Sequence, residues 1–235
     1  MQTKKPFYFS KTDILLWSSS IVLIVGSYLI FNRENYWNML ASCWGITSLI
    51  FISKGNPFGQ LLMVGFSLFY GWISYHVAYY GEMITYLGMT MPMAVSSLIS
   101  WLKNPFRSNR AEVTINRLSK KEYPFAFLLT AAVTVAFYFI LAYFKTANLL
   151  LSTFSVATSF FAVYLTFRRS PFFALAYAVN DIVLIGLWVS ASFGDPKYLS
   201  MVICFLAFLV NDLYSFLRWQ QRLRRQTAEI SAQNA

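Results

Sequence analysis

Two asparagine–aspartate pairs lie in the middle of long apolar stretches of this 235-residue sequence. Asn180 and Asp181 lie in "AYAVNDIVLIGLW". Asn211 and Asp212 lie in "FLAFLVNDLYSFL". An aspartate at the centre of a membrane-spanning helix disfavours insertion by about 2.5–3.5 kcal/mol. The pairs either line a polar cavity that binds a solute or hydrogen-bond two helices together. Interhelical hydrogen bonds in membranes average only about 0.6 kcal/mol, which favours the cavity.

Helical geometry predicts different roles for the two members of each pair. Adjacent helical residues point about 100° apart, so they cannot face the same point. We expect the asparagines to contact the solute and the aspartates to orient them or to contact other helices. Tyr177, Asn180 and Trp188 share one helical face and would offer an amide and two aromatic surfaces.

Other polar and aromatic residues within apolar stretches complete the predicted site. Trp44, Gln60 and Tyr214 are further candidates for contact with the solute. Thr47 and Ser67 are expected in orienting positions, as are the two aspartates. The tryptophans near the ends of the stretches are expected to anchor the chain at the membrane interface. They are Trp17, Trp37, Trp101 and Trp219.

The elements that must position these residues are membrane-spanning helices. The chain is 57% hydrophobic with a mean hydropathy of +0.52, and only 12% of its residues are charged, against about 25% in soluble domains. Eight apolar stretches approach the length of about 20 residues that crosses a bilayer. Their bounds are about Ile14–Phe31, Asn38–Ser53, Phe58–Tyr80, Met83–Leu102, Pro124–Phe144, Leu149–Phe167, Pro171–Phe193 and Tyr198–Leu217. We therefore predict an all-α membrane protein with eight transmembrane helices.

The basic residues fix the predicted orientation. With both termini in the cytoplasm, 16 of the 19 lysines and arginines fall on cytoplasmic segments, as the positive-inside rule requires. The net charge of +10 therefore reflects topology, and we expect no nucleic-acid partner. The basic tail is expected to contact anionic lipid head groups. The first stretch is read as a retained span, because it is longer than the apolar core of a signal peptide.

An internal repeat is predicted from two similar turns. Each follows a Thr-Ser pair, carries basic residues and leads into Pro-Phe, at Pro57 and at Pro171. Three helices on either side of a linker helix would then run in the same direction, a known transporter arrangement. The expected segments are an extra N-terminal helix (12–33), a first three-helix repeat (37–102), a cytoplasmic loop (103–122), a linker helix (123–145), a second three-helix repeat (147–217) and a basic tail (218–235).

Catalytic and cofactor motifs are not found in the sequence. It has no P-loop, G-x-S-x-G or HExxH motif. The two cysteines, Cys43 and Cys204, lack metal-ligand spacing and are interpreted as buried apolar residues. We expect neither enzymatic activity nor a bound cofactor or metal.

The combination of an extra helix, a 3+1+3 arrangement and the two ND pairs resembles the PnuC family of nicotinamide riboside transporters. Most specific are Trp44-Gly45, Asn180-Asp181 with Trp188, and Asn211-Asp212 with Tyr214. The resemblance implies a SWEET-like core in a bacterial inner membrane, and a homotrimer by family analogy. It also implies uptake of nicotinamide riboside by facilitated diffusion with alternating access. A separate cytosolic kinase would then trap the riboside.

Two other functions stay open at this stage. One is a SWEET-like carrier for a sugar or another nucleoside. The other is a membrane scaffold or receptor that transports nothing. The absence of lysine and arginine from the predicted spans favours a solute without phosphate, because a nucleotide would require a basic clamp.

Overall fold

The computed structural model describes residues 8–76, 78–107 and 109–234. Within these ranges the chain forms long helices and one short hairpin. The elements are α1 (Lys11–Phe31), α2 (Tyr36–Ser53), α3 (Pro57–His76), α4 (Tyr80–Ile84), a π-helical segment (Thr85–Thr90), α5 (Met91–Lys103), β1 (Pro105–Phe106), β2 (Asn109–Val113), α6 (Glu122–Tyr143), α7 (Leu149–Phe167), α8 (Phe173–Ser192), a 3₁₀ turn (Pro196–Tyr198) and α9 (Leu199–Asn234). The segment from α4 through α5 is one continuous helix.

Six of the helices described are long and apolar enough to cross a membrane. These are α1, the α4–α5 helix, α6, α7, α8 and α9. In α2 and α3 polar residues such as Ser42, Gln60 and Ser67 are buried in the protein and lower the hydropathy. The chain is thus a multi-pass helical membrane protein, and eight spans remain a prediction.

The helices pack as two groups of three with two additional helices. In the first group α3 packs against both α2 and α5, and in the second α8 packs against both α7 and α9. The groups meet where α2 contacts α9 and where α5 contacts α7. Helix α6 lies against α7, and α1 lies against α2 and α9. This grouping is compatible with the predicted 3+1+3 repeat.

The turn after α2 and the turn after α7, hereafter the two basic turns (residues 54–57 and 168–171), have the same backbone pattern. Gly55 and Arg169 both have a left-handed φ, 68° and 58°, and each donates its amide to the carbonyl three residues earlier. The backbone amides of the next residues, Asn56 and Ser170, donate hydrogen bonds to the carbonyls five residues earlier. The side chain of each of these residues also accepts a hydrogen bond from the backbone amide two residues later. Because arginine disfavours a left-handed φ, the match supports the repeat more strongly than residue type alone.

The predicted loop 103–122 contains the β1–β2 hairpin and closes over both basic turns. The amide of Val113 donates to the Gly55 carbonyl at 2.9 Å, and the amide of Asn116 donates to the Arg169 carbonyl at 3.1 Å. The loop therefore binds the same backbone position in each basic turn.

Helix α9 does not end at Leu217 but continues as helix through the predicted tail. Its extension packs on the hairpin rather than standing free for lipid. Glu112 accepts hydrogen bonds from Arg225 and, at 2.9 Å, from Gln226, and lies 3.3 Å from Arg222 Nε. Arg222 also donates to the Ser53 carbonyl at 2.9 Å. Part of the basic charge expected at lipid head groups is thus neutralised within the protein.

Candidate functional site

A cavity of about 220 Å³ lies between the two groups of three helices. Its wall combines apolar and aromatic side chains with polar ones. The polar or ionisable lining residues are Ser42, Gln60, Tyr70, Glu82, Thr85, Tyr86, Thr90, Ser97, Thr146, Ser152, Ser155, Ser159, Thr166, Tyr177, Asn180, Asp181, Trp188, Cys204 and Asp212. Of the residues described, those that line the cavity include no lysine, arginine or histidine.

Helix α8 contributes the predicted Tyr177, Asn180 and Trp188, together with Asp181. The Asn180 amide oxygen accepts a hydrogen bond from the Thr158 hydroxyl of α7 at 2.8 Å. This bond turns the oxygen towards α7 and fixes the amide. The indole nitrogen of Trp188 is buried without a hydrogen-bond partner among the described residues. Both side chains therefore keep a hydrogen-bonding group for a ligand in the cavity.

Helix α9 presents Asp212 to the cavity, and Asn211 faces elsewhere. Asn211 is 2% exposed and donates to the Ser20 hydroxyl of α1 and to the Ala207 carbonyl, both at 2.8 Å. The expected division, with asparagine towards the solute and aspartate behind it, therefore does not describe α9. Asn211 differs from Asn180 because the extra helix α1 supplies the Ser20 hydroxyl, which accepts the hydrogen bond from the Asn211 amide.

Glu82 is an additional carboxyl group in the cavity wall. The predicted spans end at Tyr80 and begin again at Met83, which leaves Glu82 in a turn, whereas the structure places it within a helix. The helix begins at Tyr80, three residues before the predicted span, and the Tyr70 side chain of α3 lies beside the Glu82 carboxyl. The π-helical segment that follows, a feature often found at functional sites, leaves no clear signal in the sequence.

The first group of helices supplies Gln60 from the predicted set. Gln60 is 3% exposed, and its amide nitrogen has no partner among the described residues. Ser67 does not line the cavity; it is buried and donates to the Met63 carbonyl of its own helix at 2.8 Å. Tyr70 and Tyr86 also line the cavity, with ring centroids 4.4 Å apart.

Trp44, Thr47 and Tyr214 do not line the cavity. Trp44 is 38% exposed and donates to the Leu62 carbonyl at 3.0 Å. Thr47 accepts a hydrogen bond from the Trp17 indole of α1 at 3.1 Å. Tyr214 donates to the Asp13 carboxylate at 2.6 Å. Thr47 and Tyr214 thus attach α1, and Trp44 joins α2 to α3.

Comparison with known proteins identifies the family. A nicotinamide riboside transporter PnuC from Neisseria mucosa is 24% identical over 220 residues, which cover 91% of this chain and 83% of that protein. The family model described as nicotinamide mononucleotide transporter matches residues 35–221. The chain belongs to the PnuC family. A crystal structure of the vitamin B3 transporter PnuC has the same fold, with a TM-score of 0.77 at 20% identity over 93% of this chain and 94% of that one.

In this PnuC family member two tryptophans hydrogen-bond one group of helices to the other beside the basic turns. Trp219 of α9 donates its indole N–H to the Ile52 carbonyl of α2 at 2.9 Å. Trp101 of α5 donates to the Thr166 carbonyl of α7 at 3.0 Å. Ile52 and Thr166 stand three residues before Gly55 and Arg169, so the two bonds are equivalent and cross between the groups in opposite directions.

Both tryptophans are fully buried, with their rings 5.4 Å apart and Phe173 packed against them. The expectation that Trp101 and Trp219 anchor the membrane interface is therefore wrong. Ile52, Thr166 and Phe173 line the adjacent end of the cavity. The pair, hereafter the tryptophan gate, packs in one apolar cluster with Ile52 and Phe173 of the cavity wall and with Val113 of the hairpin.

Proposed function

We propose that this transporter takes up nicotinamide riboside through the central cavity. The observation that carries the proposal is the lining itself, in which amides, carboxyls and aromatic rings occur without a basic side chain among the described residues. Nicotinamide riboside offers a carboxamide, ribose hydroxyls and a cationic ring, but no phosphate. Amide groups pair well with the first two, and aromatic faces attract the third.

The family description names the mononucleotide, whereas the relative from Neisseria mucosa is named for the riboside. The phosphate distinguishes the two solutes. Phosphate recognition normally uses arginine, lysine or a helix N-terminus. Three carboxyl groups in the wall would instead repel a phosphate. The riboside is therefore the better candidate.

We assign solute contact to the predicted residues that line the cavity, namely Gln60, Tyr177, Asn180 and Trp188. Asp181 and Asp212 also face the cavity. Asn211 and Tyr214 are assigned to holding α1 instead, because their polar atoms are already bonded to Ser20 and Asp13.

Alternating access by a rocking movement of the two groups is proposed as the mechanism. The tryptophan gate supports it, because each indole bonds the opposite group at a single carbonyl and both bonds break if the groups separate at this end. By the charge distribution this end is cytoplasmic. Facilitated diffusion in a bacterial inner membrane, trapping by a separate cytosolic kinase, and a homotrimer remain predictions from family resemblance.

Calorimetric titration of the purified protein in detergent tests the choice of solute. The panel contains nicotinamide riboside, nicotinamide mononucleotide, uridine and a hexose. Binding of the riboside alone, or at least about tenfold more tightly than the mononucleotide, is expected, because burying a phosphate without a cation is unfavourable. Preferred binding of uridine or the hexose would favour a SWEET-like carrier, and preferred binding of the mononucleotide would contradict the proposal.

A further inference from the structure

We infer that the carboxyl groups of Asp181, Asp212 and Glu82 make the cavity selective for the positive charge of its solute. The inference rests on the proposed function and extends it from the identity of the solute to the charge that the site requires. An uncharged riboside of nearly the same shape would be rejected.

The two aspartates form a buried pair without a counter-ion. Asp181 is 4% exposed and Asp212 is 3% exposed, and both line the cavity. Their carboxyl groups lie within hydrogen-bonding reach of each other. One oxygen of each, Oδ2 of Asp181 and Oδ1 of Asp212, is buried without a partner among the described residues. The pair can hold two protons, or it can share one proton and carry a single negative charge when a cation lies beside it.

No protein cation among the described lining residues offsets this charge. The nearby buried ion pair is already complete, because Lys54 lies 2.6 Å from Asp13 on the α1 side. An unpaired buried charge is strongly unfavourable. A cationic ligand in the cavity would remove this penalty, whereas a neutral ligand would not. The penalty therefore becomes a difference in affinity between charged and uncharged solutes.

Glu82 extends the negative lining away from the tryptophan gate. It lies in the first helical turn of α4, close to the segment that also supplies the lining residues Thr146 and Ser152. Tyr70 and Tyr86 stand beside it. Glu82 therefore adds a carboxyl group, with aromatic faces beside it, for a cation at this end of the cavity.

Two further groups show independently that the cavity is built for a polar ligand. The Gln60 amide nitrogen and the Trp188 indole nitrogen are buried donors without an acceptor among the described residues. Both side chains line the cavity, one from each group of helices. Buried donors normally have partners, and ribose hydroxyl or carboxamide oxygens would satisfy these two.

The test compares nicotinamide riboside with its 1,4-dihydro form, which has the same ribose and carboxamide but an uncharged ring. Affinities of the purified protein for both are measured by calorimetry at neutral pH. The wild type should prefer the cation by at least about tenfold. The double variant Asp181→Asn/Asp212→Asn, which has nearly the same shape but cannot ionise, should reduce this preference to less than about threefold. Glu82→Gln should reduce it in the same direction.

Asp195→Asn is the matched control. Asp195 lies outside the cavity on an exposed turn, where the hydrogen bond from Lys197 lowers the pKa of its carboxyl and keeps it charged. This variant removes one negative charge and should leave the preference for the cation unchanged. A thermal unfolding scan of each variant identifies a failure to fold. If the double aspartate variant does not fold, the wild-type preference and its change in Glu82→Gln test the inference.

Equal wild-type affinity for the two forms would overturn the inference while leaving uptake of nicotinamide riboside standing. A wild type that binds neither form would instead contradict the proposed function. A preference for the cation that survives in both the double aspartate variant and Glu82→Gln would show that the aromatic rings, and not the carboxyl groups, recognise the charge.

Discussion

Asn180 and Asn211 occupy the same place in two similar sequence motifs, yet the structure gives them different neighbours. Asn180 lines the cavity with its amide fixed by Thr158, and Asn211 bonds Ser20 outside it. The sequence could identify both pairs as polar groups in apolar helices. The sequence could not show which asparagine faces the cavity and which bonds α1, because the position of α1 against α9 is set by tertiary packing.

This difference predicts opposite effects of two alanine substitutions. Asn180→Ala should weaken riboside binding by about tenfold or more, because it removes an amide from the cavity wall. Asn211→Ala should leave affinity nearly unchanged but lower stability by about 1–3 kcal/mol, because the Ser20 hydroxyl loses its buried donor. Calorimetry gives the affinities and thermal unfolding gives the stabilities. Loss of affinity in a well-folded Asn211→Ala would contradict the assignment of Asn211 to α1.

At the scale of elements, the apolar stretches and the Pro-Phe turns predict the helices well. The predicted span Leu149–Phe167 coincides with α7, and that of Asn38–Ser53 ends where α2 ends. Hydropathy does not define where a helix starts when polar residues face a cavity, and for this reason the predicted span begins at Met83, after Glu82. The hairpin and the extension of α9 were missed because their stability comes from contacts with the basic turns, which lie far away in the sequence.

The tryptophan gate gives a prediction at this scale. Trp101→Phe and Trp219→Phe each keep a ring but lose one of two equivalent bonds between the groups, so both should open the gate to a similar extent. The native Cys204 thiol lines the cavity and reports its accessibility. In a Cys43→Ala background, a thiol reagent added from the hairpin side should label Cys204 several-fold faster in either variant, as each lost hydrogen bond is worth about 1 kcal/mol.

Trp17→Phe is the matched control, since its indole bonds Thr47 on α1 and not the gate. Unchanged labelling is expected for it. Unchanged labelling in both gate variants would show that the hairpin alone closes this end of the cavity.

At the scale of the whole molecule, composition and charge identify a helical membrane protein, and the family comparison confirms a PnuC transporter. Of the six acids outside the cavity, five form ion pairs with lysine or arginine, such as Glu122 with Arg168 at 2.8 Å. Its cavity, by contrast, contains carboxyl groups with no basic partner among the described lining residues. This contrast could not be seen in the net charge of +10, because that charge lies almost wholly outside the spans.

Uptake of labelled solute into liposomes that contain the purified protein tests the proposed function most directly. Without any ion gradient, nicotinamide riboside should equilibrate across the membrane in the wild type. Asn180→Ala should slow this uptake by about tenfold or more, and nicotinamide mononucleotide should not enter. Absence of riboside flux, or faster entry of the mononucleotide than of the riboside, would contradict uptake of the riboside through the carboxyl-lined cavity.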